Sequence, residues 1–413
     1  YAYFNYSIVS SPLKQSFLNK IKRFLGDKFD LKTYSIYRSF NTEKFIYPNI
    51  TDEIEKKASE KFNEMKNILH KNEDIINIEI DNIKLGTLIF DGYKIYNKVP
   101  YLDIYDKKFW LYLKDFIRLF YFWYDFIKKE KIKCVIGGHS TYAYGIPLRI
   151  ALSLNIPAIA IEDGIVFHLT KKNIFGNTEF KHYREIFSTF KEDQKIKARD
   201  LATKFLQNRF NGKTGTDIKE SRIVTSSFSK KFDNENKVLK QNKKLNVVIF
   251  THEVNDASNG HGETLYPDFY EWLKSIITIS KKTDYNWYIK DHPKYHGKFN
   301  PGQTMTEKTT KELIKINPKI KYLPSSTSHH QIINEQVDFV MTVNGDIAYE
   351  YAYFNIPVLT ASKNCFTCDY DFNIHSDSKE EYESKVKNLK DIKINIDRNQ
   401  VLEFYFMSSV YKN

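Results

Sequence analysis

Between residues 246 and 360 the chain alternates short apolar runs with amphipathic stretches, and no other feature restricts its possible folds so far. The apolar runs fall at 246–250, 287–290, 319–323, 337–343 and 356–360. Each has the length and branched or aromatic content of a buried strand. Helical spacing fills the intervals at 267–280, 307–316, 329–335 and 347–354, the first with Pro267 near its opening turn. Strictly alternating strands and helices predict parallel strands, right-handed crossovers and a doubly wound sheet. Ligands of such sheets sit outside the carboxyl ends of the strands. Three polar clusters fall at those ends: Asp291-His292-Pro293, Ser325-Ser326-Thr327 and Asn344-Gly345-Asp346.

A second strand–helix–strand unit lies earlier. Residues 133–138 read as a short buried strand ending in Gly137 and Gly138. Residues 142–154 read as a helix with Leu148, Ala151 and Leu152 on one face. Residues 157–161 read as another strand, with Glu162-Asp163-Gly164 at its carboxyl end. From about 208 to 244 the sequence turns polar and loses periodicity. These patterns predict an N-terminal Rossmann-like domain over 1–215, a linker over 216–244 and a second Rossmann-like domain over 245–413. Two such domains enclose a cleft. The first hundred residues give little signal beyond a charged helical stretch at 52–71.

With 413 residues, 41% hydrophobic and 15% aromatic, the chain has the apolar content for real cores. Its formal charge is +12, mostly scattered lysine. No arginine-rich tract or recognition-helix pattern points to nucleic acid. A solvated lysine surface and a weak attraction to an anionic membrane both account for the excess. The most apolar stretch, 109–127, is broken by Lys114, Asp115 and Arg118 at helical spacing. It reads as a core helix, or else as a face resting on a membrane surface. Three cysteines make no disulfide framework for this length, so a reducing, cytoplasmic compartment is expected. The single pair Cys365 and Cys368 lacks the four ligands of a structural zinc site.

The strand-end clusters have recognisable chemistry. Pro293 biases His292 towards an extended backbone, so its imidazole is rigidly held. There it could donate to a phosphate or protonate a leaving group near neutral pH. Glu162 and Asp163 place two carboxylates at a strand mouth, where one could deprotonate an acceptor hydroxyl. A turn histidine and an ordinary acidic turn are the plain alternatives. Together they supply a base and an acid for opposite sides of a bond being exchanged.

Glu162-Asp163-Gly164 followed by His292-Pro293, in this order, resembles the acid-acid-Gly and His-Pro motifs of bacterial sialyltransferases and capsule-polysaccharide Kdo transferases. The resemblance covers roughly 133–360. It implies the GT-B fold, two Rossmann-like domains facing a cleft, and a sugar taken from a nucleotide donor. CMP is the favoured nucleotide, with UDP or GDP as alternatives. By the same resemblance Asp163 is the base with Glu162 as its substitute, and His292 binds phosphate or acts as acid. Those families follow His-Pro with a Ser-Ser or Ser-Thr pair after a later strand. Here that place holds Asn344-Gly345-Asp346, and an acid beside a phosphate is unhelpful.

The remaining candidates lie around these motifs. Backbone N–H groups at Asn344 and Gly345, and a second cradle at Ser325, Ser326 and Thr327, could hold a diphosphate. Glu350 could accept from ribose hydroxyls. His252, Lys290, Gly164 and Pro293 are further donor-side candidates, with His261 in the loop beyond His252. His139 and Ser140 are acceptor-side candidates, and Lys171, Lys172 and Arg184 could meet an anionic acceptor. Asp369 and Asp371 imitate a metal-binding Asp-x-Asp but follow a late strand. The resemblance implies no metal or other cofactor. The expected activity is glycosyl transfer to a bacterial surface glycan such as capsule or lipopolysaccharide, at the inner face of the cytoplasmic membrane. A teichoic-acid-type polyol-phosphate transferase and a nucleotide-sugar epimerase are the alternatives.

Overall fold

The computed structural model describes residues 1–2, 17–31, 33–162, 165–176, 178–213, 228, 236–292 and 305–411. Asp163, Gly164 and Pro293 therefore lie outside the described residues, as does most of the expected linker. The chain divides into two compact units, Tyr1–Gly176 and Asn177–Asn413, both mixed α/β.

The first unit opens with α1 (Phe17–Lys28), α2 (Thr33–Ser39), α3 (Asp52–Ile68) and α4 (Asn72–Ile76). A short antiparallel hairpin follows, β1 (Glu79–Ile80) and β2 (Ile83–Lys84). Next come α5 (Gly86–Asn97) and α6 (Lys107–Lys129), then β3 (Val135–Gly137), α7 (Gly145–Ser153), β4 (Ala158–Glu162) and β5 (Ile165–Leu169). Thr51 caps α3 by accepting from the Ile54 N–H, and Asp52, Glu53 and Glu55 oppose the positive end of its dipole. Asp106 caps α6 in the same way.

The core of this unit is the face of α6 that carries Phe109, Leu113, Phe116, Ile117 and Phe120, packed against α3 and α5. The 109–127 segment is thus core, and its reading as a membrane-resting face is corrected. Its charges do not oppose this, because they stand on the other side. Arg118 there forks onto both carboxylate oxygens of Glu55 at 2.7 and 2.8 Å, tying α6 to α3. The sheet of this unit is small, in the order β3-β4-β5. β3 and β4 are parallel across α7, as the strand–helix–strand pattern requires, but β5 returns antiparallel to β4. One face packs on Leu148, Ala151 and Leu152 of α7, while Ile136, Ile161 and Val166 stay exposed on the other.

The second unit begins with α8 (Tyr183–Ser188) and α9 (Glu192–Phe210). Then follow β6 (Asn246–Phe250), α10 (Phe269–Ser280), β7 (Asn286–Lys290), α11 (Met305–Ile314), β8 (Lys321–Leu323), α12 (His329–Asn334) and β9 (Phe339–Thr342). It closes with α13 (Ile347–Tyr353), β10 (Val358–Thr360), α14 (Lys379–Lys387) and α15 (Arg398–Tyr405). All five strands are parallel, in the order β10-β9-β6-β7-β8. The first strand in sequence is central, the next two lie on one side of it and the last two on the other.

Alternation along each strand divides the apolar side chains between two cores. Val247, Ile249, Ile289, Met341 and Leu359 face α10 and α14, against Trp272, Ile276 and Tyr382. Val248, Phe250, Tyr288, Val340 and Val358 face α12 and α13, against Ile332 and Tyr351. This is the doubly wound sheet that the sequence period predicts.

The observed unit boundary falls earlier than the expected 215. Ala198, Ala202, Leu206 and Phe210 recur every four residues on α9, and that stripe packs on Val401, Phe404 and Tyr405 of α15. Helices α8 and α9 thus belong with the second unit by burial, although they precede the polar stretch.

Candidate functional site

β6 ends at Phe250, so Thr251, His252 and Glu253 leave the sheet where the strand order reverses between β6 and β9. Crossovers on the two sides of such a reversal depart on opposite faces, which opens a crevice above the carboxyl ends. The side chains there form a connected set.

His252 locks the two strand ends together. Its ring stacks on Phe269 at 4.4 Å between centroids. The Val343 N–H donates to its Nε2 at 3.2 Å, so that nitrogen is an unprotonated acceptor. The Thr342 hydroxyl, 3.0 Å from Nε2, must therefore be donating. The same hydroxyl oxygen accepts from the Gly345 N–H at 3.3 Å. Burial, and then the neighbouring His292, push the His252 pKa down to about 3. The ring is neutral at working pH.

Glu253 and His292 form a carboxylate–imidazole pair, Oε1 to Nδ1, at 3.5 Å. The buried Thr306 hydroxyl at the start of α11 donates to the other carboxylate oxygen at 2.7 Å and fixes it. Burial alone would push the Glu253 carboxyl up; the hydrogen bonds from His292 and Thr306 outweigh it and leave it below the usual range. Both side chains remain partly exposed, at 21% and 30%. Beside them, burial raises the pKa of Asp291, which accepts from the Tyr322 hydroxyl at 3.1 Å. Lys290 is buried and donates to the Ser325 carbonyl at 3.4 Å.

Several expectations change here. The N–H groups of Asn344 and Gly345 do not stand open for an anion, because His252 and Thr342 accept from this turn. Ser325 is buried and Ser326 exposed, and α12 behind them has only six residues, too short for a developed dipole. Glu350 does not face solvent. It is buried, and Arg209 donates to it from Nε at 2.6 Å. The other end of the same guanidinium pairs with Asp346 at 2.9 Å. The acid that looked unhelpful beside a phosphate is thereby matched by a cation from α9.

In the first unit, the carboxyl ends of β3 and β4 bring together three residues that the sequence singles out. Glu162 Oε1 accepts from the Ser140 N–H at 2.6 Å. Ser140 Oγ accepts from the Gly176 N–H at 3.1 Å. His139 Nδ1 stands 3.6 Å from the same Glu162 oxygen and accepts from the Thr141 N–H at 3.3 Å. A Cβ at Gly176 would stand 2.9 Å from Glu162 Oε1, so the carboxylate sits against bare backbone. Tyr142, buried in the next turn, has φ of 53°, a conformation that bulky residues rarely adopt. Local strain beside an aimed carboxylate is common where geometry serves chemistry.

No family model matches the chain, and no curated protein does. Among solved structures it is similar to KpsC of Thermosulfurimonas dismutans, described as a beta Kdo 2,4 transferase. That match has 10% identity over 66% of this chain and 78% of the other, at a TM-score of 0.37. A beta Kdo 2,7 transferase from the same organism matches at 14% identity over 68% and 78%, with a TM-score of 0.38. A UDP-GlcNAc 2-epimerase of Methanocaldococcus jannaschii matches at 14% identity over 70% and 79%, with a TM-score of 0.29. Likeness at this distance assigns the chain to no family.

Other candidates have structural partners. Asp371 pairs with Arg184 at 3.1 Å, and Arg184 also donates to the Asp369 carbonyl. Cys365 is fully buried, its sulfur 3.6 Å from His375 Nδ1. Burial pushes the Cys368 thiol up to about 12. Lys171 and Lys172 are exposed, and His261 packs its ring on Phe366 at 4.9 Å. Among the described residues no group of three His, Cys, Asp or Glu is placed to hold a metal ion.

The sequence marks Glu253 only as part of the polar loop after β6, a candidate for donor contacts, and gives no role to Thr306, Thr342 or Arg209. The signal for Glu253 is its place three residues past a strand end. Arg209 had none: its partner Glu350 is 141 residues away.

Proposed function

We propose that the protein is a glycosyltransferase that moves a sugar from a nucleotide donor to a bacterial surface glycan. The observation that carries this reading is the Glu253–His292 pair at the carboxyl edge of the parallel sheet, beside the reversal between β6 and β9. The Glu253 carboxylate beside Nδ1 orients the imidazole. An imidazole N–H donor at this edge can hold a donor phosphate and stabilise the negative charge that develops as the glycosyl bond breaks. Glu253 then acts as a positioning residue and His292 as the group that meets the phosphate.

The carboxylate for the acceptor hydroxyl is assigned to the Glu162-Asp163-Gly164 segment. Asp163 is the base by the motif resemblance. Glu162, held by the Ser140 N–H beside His139, is the carboxylate whose setting is described, and orienting the acceptor is its role here. Lys290 and His252 act from beneath the site: Lys290 steadies the turn at Ser325, and His252 fixes the turn at Val343.

A thermal-shift screen against CMP, UDP, GDP and CDP tests donor binding and identifies the base. Ligand at a hundred times its Kd stabilises the fold by about 2.7 kcal/mol. Absence of any nucleotide or nucleotide-sugar binding by calorimetry would refute the proposal. His292→Ala is expected to abolish transfer to a glycan acceptor, and full activity in that variant removes His292 from the mechanism. Conversion of a donor sugar with no acceptor present would mark an epimerase instead, and a phosphodiester product a polyol-phosphate transferase.

A further inference from the structure

The hairpin of α1 and α2 has its amphipathic faces reversed. Leu18, Ile21 and Leu25 recur at three- and four-residue spacing on α1, with Phe24 beside them, and these four are 67%, 39%, 39% and 63% exposed. The opposite side of α1 is the one that packs. Arg23 is buried there with its guanidinium 4.9 Å over the Tyr47 ring. Gly26 lies so close to Tyr34 that a Cβ would stand 2.4 Å from the ring. Phe29, Leu31, Ile36 and Phe40, which follow along the chain, are exposed too, the last at 78%. A helix of a globular protein turns its apolar stripe inward. An apolar stripe turned outward instead marks an interaction site.

The charge around this surface selects the partner. At about 100° per residue, Lys20 and Lys22 fall on either side of the apolar arc and Lys28 lies within it. Between residues 17 and 44 there are seven basic and three acidic residues. Two of the three acids, Asp27 and Asp30, are taken up by Arg38 at 2.7 and 3.1 Å. The outward surface is therefore aromatic and aliphatic with a cationic rim. That is the composition of a helix lying in the plane of an anionic bilayer, with its apolar side among the acyl chains and lysines at the headgroups. Among the described residues no helix is long and apolar enough to cross a membrane, so the contact is with the surface.

We propose that the α1–α2 hairpin docks the protein on the surface of an anionic lipid bilayer. This does not depend on the reaction proposed above, nor on α6, whose apolar face is core.

The test is co-sedimentation of the purified full chain with vesicles of phosphatidylcholine alone, or of phosphatidylcholine mixed with phosphatidylglycerol. Binding is expected to the anionic vesicles only and to weaken as salt rises. F24E/F40E is expected to abolish it. K20E/K22E is expected to weaken it on the order of 10-fold or more. All four positions are exposed, so thermal melting should not change; should F24E/F40E melt early, K20E/K22E carries the test by itself. Failure of the chain to bind anionic vesicles overturns the proposal, as does binding that neither variant alters. So does self-association by light scattering that F24E/F40E removes from a chain indifferent to vesicles, which would make the face a contact between copies.

Discussion

His252 serves the site only while it is neutral. Its Nε2 takes the Val343 N–H and the Thr342 hydroxyl, and a proton on that nitrogen would oppose both. The folded-state pKa is pushed down to about 3, against about 6.5 for an unperturbed histidine. The unfolded chain therefore binds this proton first as pH falls. The contribution is fully present above about pH 6.5 and declines towards pH 3, by at most about 1.4 kcal/mol per unit. Urea titrations at pH 7 and pH 5 should show His252→Asn losing less stability across this interval than the wild type. Equal losses would mean that the ring does not hold its neutral form. The pair next to it depends on pH in the same sense, over a lower range. Glu253 is held below the usual carboxylate range, so its support of His292 is present above that range and fails as pH falls through the lowered pKa. Glu253→Gln should lower transfer on the order of 10-fold or more with melting little changed. Unchanged transfer would make Glu253 a structural residue only. At Gly176 the incoming methyl of Gly176→Ala meets a flexible carboxylate and not backbone. Melting should hardly move while transfer falls, and unchanged transfer would separate Glu162 from the acceptor site.

At the scale of elements, legibility followed sequence distance. The second unit could be read because its strands and helices carry their own periods, and Val247, Val248 and Ile249 announce a buried strand without help from a partner. α6 could be read as a helix, yet its environment could not, since Phe109 and Phe120 look the same against α3 as against a lipid surface. Residues 52–68 showed their charges, but nothing local tells that Glu55 reaches Arg118, 63 residues on. The same limit affected the candidate site. His252, His292 and Glu162 stand out in the sequence because they are polar residues at strand ends. The occupied N–H groups of the Asn344 turn were not foreseen, because His252 takes them from more than ninety residues earlier. Arg209 makes a further prediction. It joins α9 to α13 through a buried Glu350 carboxylate. Removing one partner strands the other, so Arg209→Met should cost about 3–5 kcal/mol in denaturant unfolding. A loss under 1 kcal/mol would mean the carboxylate finds water or a proton instead.

For the molecule as a whole, the division at Gly176 rather than 215 changes what should fold alone. A chain of residues 177–413 retains α8 and α9, and with them the cover over Val401, Phe404 and Tyr405. It should unfold cooperatively and keep nucleotide binding. A chain of residues 216–413 bares that apolar surface and leaves Glu350 without Arg209, and it should be insoluble or molten by calorimetry. Equal behaviour of the two would return the boundary to the polar stretch.

The central place of the first strand of this sheet also has a temporal consequence. β6 pairs with β7 about forty residues later, but its other edge waits for β9, with Val248 against Val340. A ribosome must add some ninety residues before that edge is covered. Until then an apolar strand with unpaired backbone groups is a template for other chains. Long-range parallel pairing of this kind is slow. Premature termination near residue 330 would therefore produce a sticky fragment and not merely an inactive one, and slowing translation there would prolong the exposure.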